Sequence, residues 1–121
     1  MSKVLFNSYE NAKKVEKIKA IKLMQNADEL KDVIGNVLNV TGLNVVDEDD
    51  VVTDEGVVIS IRTTYVFTPD ACYKTTSRYF SRTMLDMVGF LGADTFPLTI
   101  QIAMIKIAEG YNDALGFEVV E

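Results

Sequence analysis

A twelve-residue stretch, CYKTTSRYFSRT from Cys72 to Thr83, brings cations and aromatic rings together in a protein that is acidic overall. The chain has a formal net charge of −6, yet this stretch contains neither Asp nor Glu. Single-stranded nucleic acid is bound by cations that follow its phosphates and by flat rings on which its bases stack. The stretch therefore predicts a nucleic-acid-binding surface, and its candidate residues are Tyr73, Lys74, Arg78, Tyr79 and Arg82.

Three residues elsewhere in the chain are candidates for the same surface. Arg62 lies on the polar side of a predicted strand, Tyr111 in the loop before the last predicted strand, and Lys22 in a lysine-rich segment. Tyr73 and Lys74 must point to opposite sides of a regular strand, and we expect Lys74 to face outwards.

The arginines of this stretch also allow an interpretation without a ligand. Arg78 and Arg82 are four residues apart, on one face of a predicted helix. They could equally pair with the acidic segment DEDDVVTDE, residues 47–55. That segment is not a calcium loop of the EF-hand type, because the required Gly and Glu positions hold Val52 and Val58. We expect a solvated acidic loop there.

The charge is distributed in alternating blocks. Residues 1–22 carry six Lys against two Glu, and residues 56–82 carry four cations against one Asp. Residues 23–55 carry one Lys against nine acids, and residues 83–121 one Lys against six. Because local potential decides where a polyanion binds, an acidic protein of this kind can still present a basic face.

The composition excludes several kinds of site. The chain has no His and one Cys, which excludes Ser-His-Asp and Cys-His catalysis and leaves too few ligands for a typical zinc site. The lone Cys72 excludes an internal disulfide and fits a reducing cytoplasm. There is no phosphate-binding G-x-x-x-x-G-K-S/T motif and no apolar run that could span a membrane. We expect no signal peptide, because the N-terminal residues have no long apolar core. We therefore expect no enzyme, no cofactor and no metal.

The predicted elements form a single domain of 1–121. Residues 1–14 predict a weakly ordered segment or a short helix. Residues 15–24 mix Lys with β-branched residues and predict a strand, although a helix also fits. Residues 26–35 predict a short helix that Asn26 caps and Gly35 ends. We expect residues 36–121 to form the main body.

The main body is predicted as three strands, a helix and two strands. This is the chain order of the five-stranded oligonucleotide/oligosaccharide-binding barrel, the OB-fold. The fold expected is therefore mainly β with two helices (α+β), an OB-like barrel preceded by an N-terminal strand and short helix. The predicted strands are 36–46, 57–68, 71–77, 98–108 and 115–120, and the predicted helix is 78–91.

Local signals refine this order. Gly42 predicts a bend in the first strand. Thr68–Ala71, TPDA, predicts a turn. In the second strand, Tyr65 and Phe67 are expected on the core side and Arg62 on the solvent side. Ser77 is expected to cap the helix, whose spacing directs Phe80, Met84, Met87, Val88 and Leu91 towards the core.

The hairpin followed by YKTTSRYF, a strand ending in Thr-Thr-Ser and running into a helix, resembles small phage-encoded single-stranded DNA-binding proteins of Gram-positive hosts. The resemblance covers roughly residues 20–121. It implies an OB-like fold and a role in protecting single strands during phage replication or recombination.

Two functions follow as expectations. The first is sequence-tolerant binding of single-stranded DNA by a protein that is expected to be oligomeric and to act in the host cytoplasm. The alternative is an acidic protein-interaction module, a phage inhibitor or DNA mimic that acts on a basic host protein. The acidic segment 47–55 and the isoelectric point near 4.6 motivate this alternative.

Overall fold

The fold, taken from a computed structural model that describes residues 2–110 and 112–120, is mainly β with two α-helices. The strands are β1 (Ser2–Asn7), β2 (Asp28–Glu29), β3 (Val37–Val40), β4 (Gly42–Val52), β5 (Val58–Phe67), β6 (Cys72–Thr75), β7 (Leu98–Ile105) and β8 (Ala114–Val119). The helices are α1 (Lys14–Gln25) and α2 (Arg78–Leu91), with short 3₁₀ helices at Leu30–Val33 and Gly92–Asp94. The predicted α+β class is confirmed.

Two sheets share one bent stretch of chain. The first has the order β1-β4-β5-β6-β2 and the second the order β3-β7-β8. Only Thr41 separates β3 from β4, and its backbone N–H donates to the carbonyl of Phe67 at 2.8 Å. The predicted first strand is thus bent next to Gly42, as expected, and contributes to both sheets. From β3 onwards the predicted order of strands and helix holds, while closure into a barrel stays a prediction because the backbone pairings form two open sheets.

The preferred predictions for the first 35 residues are wrong, whereas the helix that also fitted residues 15–24 is confirmed. Residues 2–7 form β1, which pairs antiparallel with β4. Residues 14–25 form α1 instead of a strand. The segment is rich in good helix formers, and of the side chains that pack on the body, Leu23 and Met24 follow Ala20 by three and four residues. The predicted helix 26–35 is replaced by the two-residue strand β2 and a 3₁₀ helix. The side chains through which this region packs on the body include Ala20, Leu23, Met24, Ala27 and Leu30.

Helix α2 matches its prediction closely. The Ser77 hydroxyl accepts the backbone N–H of Phe80 at 3.3 Å, as an N-cap does. Phe80, Met84 and Val88 are buried in the main core as predicted, whereas Met87 is half-buried beside a surface depression and Leu91 is 43% exposed. Phe80 meets Phe117 of β8 edge-on, with 5.2 Å between ring centroids. The helix therefore covers the inner side of both sheets.

Strand β5 is covered on both faces: Phe67 is buried, as predicted, and the side that was expected to face solvent is buried as well. Val66 and Thr64 are fully buried, with Val66 in the main core beneath α2. Phe67 and Tyr65 lie on the opposite face and pack in a smaller cluster with Cys72 and α1. The polar-looking side of the strand faces inwards because α1, predicted as a strand, takes the other side.

The acidic segment is strand rather than loop over most of its length. Strand β4 continues to Val52, and the turn to β5 is closed by the Thr53 N–H, which donates to the Val57 carbonyl at 2.9 Å. A bulge interrupts the pairing between Glu48 and Val51. The outer parts of β4 and β5 thus form a long, exposed hairpin.

Gly42 allows a close contact that a side chain would obstruct. A Cβ atom at this position would lie 2.8 Å from both the Ser8 and Tyr9 side-chain oxygens. The Ser8 N–H donates to the Leu43 carbonyl, and the Leu43 N–H donates to the Ser8 hydroxyl oxygen. The Tyr9 ring meets the Phe67 ring edge-on, with 4.9 Å between ring centroids.

We expect Gly42→Ala to lower the free energy of unfolding by about 1–3 kcal/mol, because the added methyl displaces Ser8 or Tyr9 from these contacts. Gly89→Ala is the matched control, since a Cβ at that helical position meets nothing within 4 Å. It should raise stability by about 0.5–1 kcal/mol. Urea unfolding measures both, and an unchanged midpoint for Gly42→Ala would contradict the tight contact.

Candidate nucleic-acid interface

Arg62 is held in an ion pair with Asp47. The two residues lie directly opposite each other on β5 and β4. The guanidinium donates from Nε to Oδ1 at 2.8 Å and from Nη2 to Oδ2 at 3.1 Å, which is a two-pronged geometry. This hydrogen bonding lowers the pKa of Asp47 and raises that of Arg62. Most of the charge of Arg62 is therefore balanced before any ligand arrives.

Arg78 and Arg82 lie on the same side of the sheet as this pair. Arg78 donates from Nη2 to the Ser60 carbonyl at 3.4 Å, and its charge also helps to lower the pKa of Asp47. Arg82 is exposed one turn further along α2. Within residues 2–110 and 112–120, the Arg62–Asp47 contact is the one ion pair, so neither Arg78 nor Arg82 forms an ion pair with the acidic segment.

The predicted stacking rings of Tyr73 and Tyr79 are both half-buried. Tyr73 lies opposite Val66 and packs against the main core. The Tyr79 ring lies against the backbone of Gly116, where a Cβ atom would come within 2.9 Å of Tyr79 Cε1. Each ring thus has one side occupied by the protein.

Lys74 belongs to the other face of the sheet. It lies directly opposite Tyr65, which in turn lies opposite Asn44. Because opposed residues in antiparallel strands share a face, these side chains form a row across β4, β5 and β6. Arg62 is three positions from Tyr65 and so points the opposite way. We call the row of Asn44, Tyr65 and Lys74 the outer row.

The outer row is bordered by the lysine-rich helix α1. The Asn44 amide donates from Nδ2 to Met24 Sδ of α1 at 3.4 Å, while its Oδ1 is buried without a partner among the described residues. A cavity of about 150 Å³ beside Asn44 is lined on the α1 side by Lys17 and Ile21. The exposed lysines of this helix and its N-cap are Lys13, Lys14, Lys17, Lys19 and Lys22, against the single acid Glu16.

The structure therefore divides the predicted site residues between two faces. Lys74 and Lys22 lie on the side of α1, whereas Arg62, Arg78 and Arg82 lie on the side of α2. Tyr111 lies outside the described residues.

Asn44 was not among the predicted site residues, and Tyr65, which was expected on the core side, packs against the cluster of Phe67 and Cys72. One residue in the sequence indicates that both faces of β5 are covered: Val66 is apolar and lies on the side that was expected to be polar.

Among the described residues, no group of three or more Cys, Asp or Glu side chains is placed to hold a metal ion. Neither α1 nor α2 is long and apolar enough to cross a membrane. Comparisons of the chain with protein-family models, with curated proteins and with solved structures find no match.

We expect Asp47→Asn to lower the free energy of unfolding by about 1 kcal/mol at pH 7, because it removes a charge-assisted contact. The folded state lowers the pKa of Asp47, so its contribution is complete above the ordinary carboxyl range and is lost as the pH falls through the folded-state pKa. The difference between wild type and variant should shrink accordingly.

Urea midpoints at a series of pH values from 7 downwards measure this difference. Asp70→Asn, which removes an exposed carboxylate in the β5–β6 turn, controls for the change in net charge. A difference that stays constant as the pH falls would show that the ion pair does not stabilise the protein.

Proposed function

We propose that the protein binds single-stranded DNA without sequence preference and coats single strands during phage replication or recombination in the host cytoplasm. The observation that carries this proposal is the outer row of Asn44, Tyr65 and Lys74 beside the lysine-rich α1. A sheet face with a partly exposed ring, bordered by cations, suits a flexible polyanion that carries flat bases.

Each part of this surface has a role in the proposal. Tyr65 offers a ring for a base to stack on, which is worth about 1–3 kcal/mol per base. Lys74 and the lysines of α1 neutralise phosphates on either side of it. The unpartnered Oδ1 of Asn44 can accept a hydrogen bond from a base N–H group. Stacking accepts every base, which accounts for the proposed tolerance of sequence.

The acidic interaction module is a second candidate, and the β4–β5 hairpin favours it. Its exposed acids are joined by apolar side chains that are more than half exposed, Val52, Val57 and Val58. An exposed mixture of acids and valines suits a basic protein partner with an apolar patch. A protein with this second function would not bind nucleic acid.

A titration of a fluorescently labelled oligo-dT separates the two functions. With four phosphate contacts, affinity should fall about 50-fold between 50 and 200 mM salt, since each contact on a single strand adds about 0.7 to the logarithmic slope. Lys74→Gln should weaken binding and reduce that slope by about 0.7.

Lys3→Gln is the matched control, because Lys3 lies opposite Asp47 and so on the other face of the same sheet. Equal losses of oligo-dT affinity for Lys3→Gln and Lys74→Gln would show that the interface does not lie on the outer row. Absence of binding at 50 mM salt would refute the DNA-binding proposal.

The role of the ring is tested separately at Tyr65. Tyr65→Leu should weaken oligo-dT binding by about 5- to 150-fold, the effect expected from losing one stacked base, while Tyr65→Phe should retain it. Urea unfolding of both variants checks that the fold is kept. If Leu and Phe bind equally well, Tyr65 supports the sheet and does not stack on DNA.

A further inference from the structure

Helix α2 presents a large aromatic side chain to solvent. Phe90 is 91% exposed, the highest value among the exposed large apolar residues of the described chain. Beside it lies a mainly apolar depression lined by Thr83, Asp86, Met87 and Leu91. A ring and a depression of this kind on one helix face are typical of a protein–protein contact.

Phe90 is the last member of a ridge along α2. Arg78, Arg82, Asp86 and Phe90 follow at four-residue spacing, and all four are exposed. We call these residues the α2 ridge. Its first half is basic, and its second half is acidic and aromatic. Side chains in such a row lie about 6 Å apart along the helix and pack into the grooves of another helix.

The charges of the α2 ridge are not balanced within the helix. Arg82 precedes Asp86 by four residues, which is the less favourable order for a helical ion pair. Neither residue takes part in an ion pair within residues 2–110 and 112–120. An Arg and an Asp are therefore displayed side by side, next to an unpartnered ring.

We propose that the α2 ridge binds the α2 ridge of a second copy of this chain, with the two helices antiparallel about a two-fold axis. Reversal of direction places Arg82 of each copy opposite Asp86 of the other. Phe90 of each copy then lies opposite Arg78 in the basic half of the other ridge, where the arginine can stack on the ring. The same patch serves both copies, as a two-fold interface requires.

The order of charges favours a second copy over other occupants. A uniformly acidic partner would be repelled by Asp86, and a uniformly basic one by Arg82 and Arg78. A partner with the reversed order of charges satisfies both ends, and an antiparallel copy of the ridge has that order. The ridge also lies on the α2 side of the sheet, so the contact would leave the outer row open.

Sedimentation velocity without nucleic acid tests the proposal over a range of protein concentrations. Wild type should pass from monomer to dimer as concentration rises. Arg82→Asp and Asp86→Arg should each remain monomeric, since each self-pairing then opposes like charges. An equimolar mixture of the two variants should recover the dimer, because both contacts between unlike variants join Asp to Arg.

Phe90→Ser tests the apolar part and should weaken dimerisation roughly 30-fold or more, as loss of a central aromatic anchor does. Val15→Ser is the matched control, because Val15 is 77% exposed on α1 and outside the ridge. Urea unfolding confirms that each variant is folded.

A wild type that stays monomeric at all concentrations would overturn the proposal. So would a mixture of the two charge variants that fails to dimerise. Neither result depends on whether the protein binds DNA.

Discussion

The antiparallel register of β4 on β5 is the constraint on which the rest of the structure depends. It runs from the Gly42–Phe67 pair to the Val52–Val58 pair and decides which side chains share a face. One face receives Asp47 opposite Arg62, and the other receives Asn44 opposite Tyr65. A shift of one residue would place Arg62 opposite Val46 or Glu48 and so separate it from Asp47.

Burial of this sheet on both sides follows from the two helices. Helix α2 closes the inner side through Phe80 and Met84, and α1 covers one end of the outer side around Phe67. Because α1 covers only that end, Tyr65 and Lys74 border a surface that ligands can reach. The same arrangement leaves the outward ridge of α2 uncovered. The proposed nucleic-acid face and the proposed contact between copies are thus on opposite sides of one sheet, and neither needs to exclude the other.

Charge in this protein is separated in space as well as in sequence. The acids of β4 extend along the exposed hairpin, while the helix that carries the lysines packs on the opposite end of β5. Such a separation allows a chain of net charge −6 to attract a polyanion locally. Arg62 is not a free cation, because β4, which carries the acids, is the direct neighbour of β5, which carries Arg62.

Local features of the chain could be predicted because they depend on neighbouring residues. The Ser77 cap, the spacing of Phe80, Met84 and Val88, and the turn at Thr68–Ala71 each involve residues a few positions apart. The mainly β class with two helices was predictable for the same reason. The placement of α1 was not, since it carries both helix-forming and β-branched residues and its packing against Phe67 settles the choice.

The sequence by itself determined the capped helix α2, the bend at Gly42, the order of strands from β3 onwards and the separation of charge into blocks. Only the tertiary structure decided which face of β5 is inside, that Arg62 pairs with Asp47, and that Tyr65 joins Lys74 on the outer row. The physical reason is that a strand covered on both faces loses the alternation by which its inner side is recognised. Residues 15 positions apart, such as Asp47 and Arg62, meet only when two strands find their register.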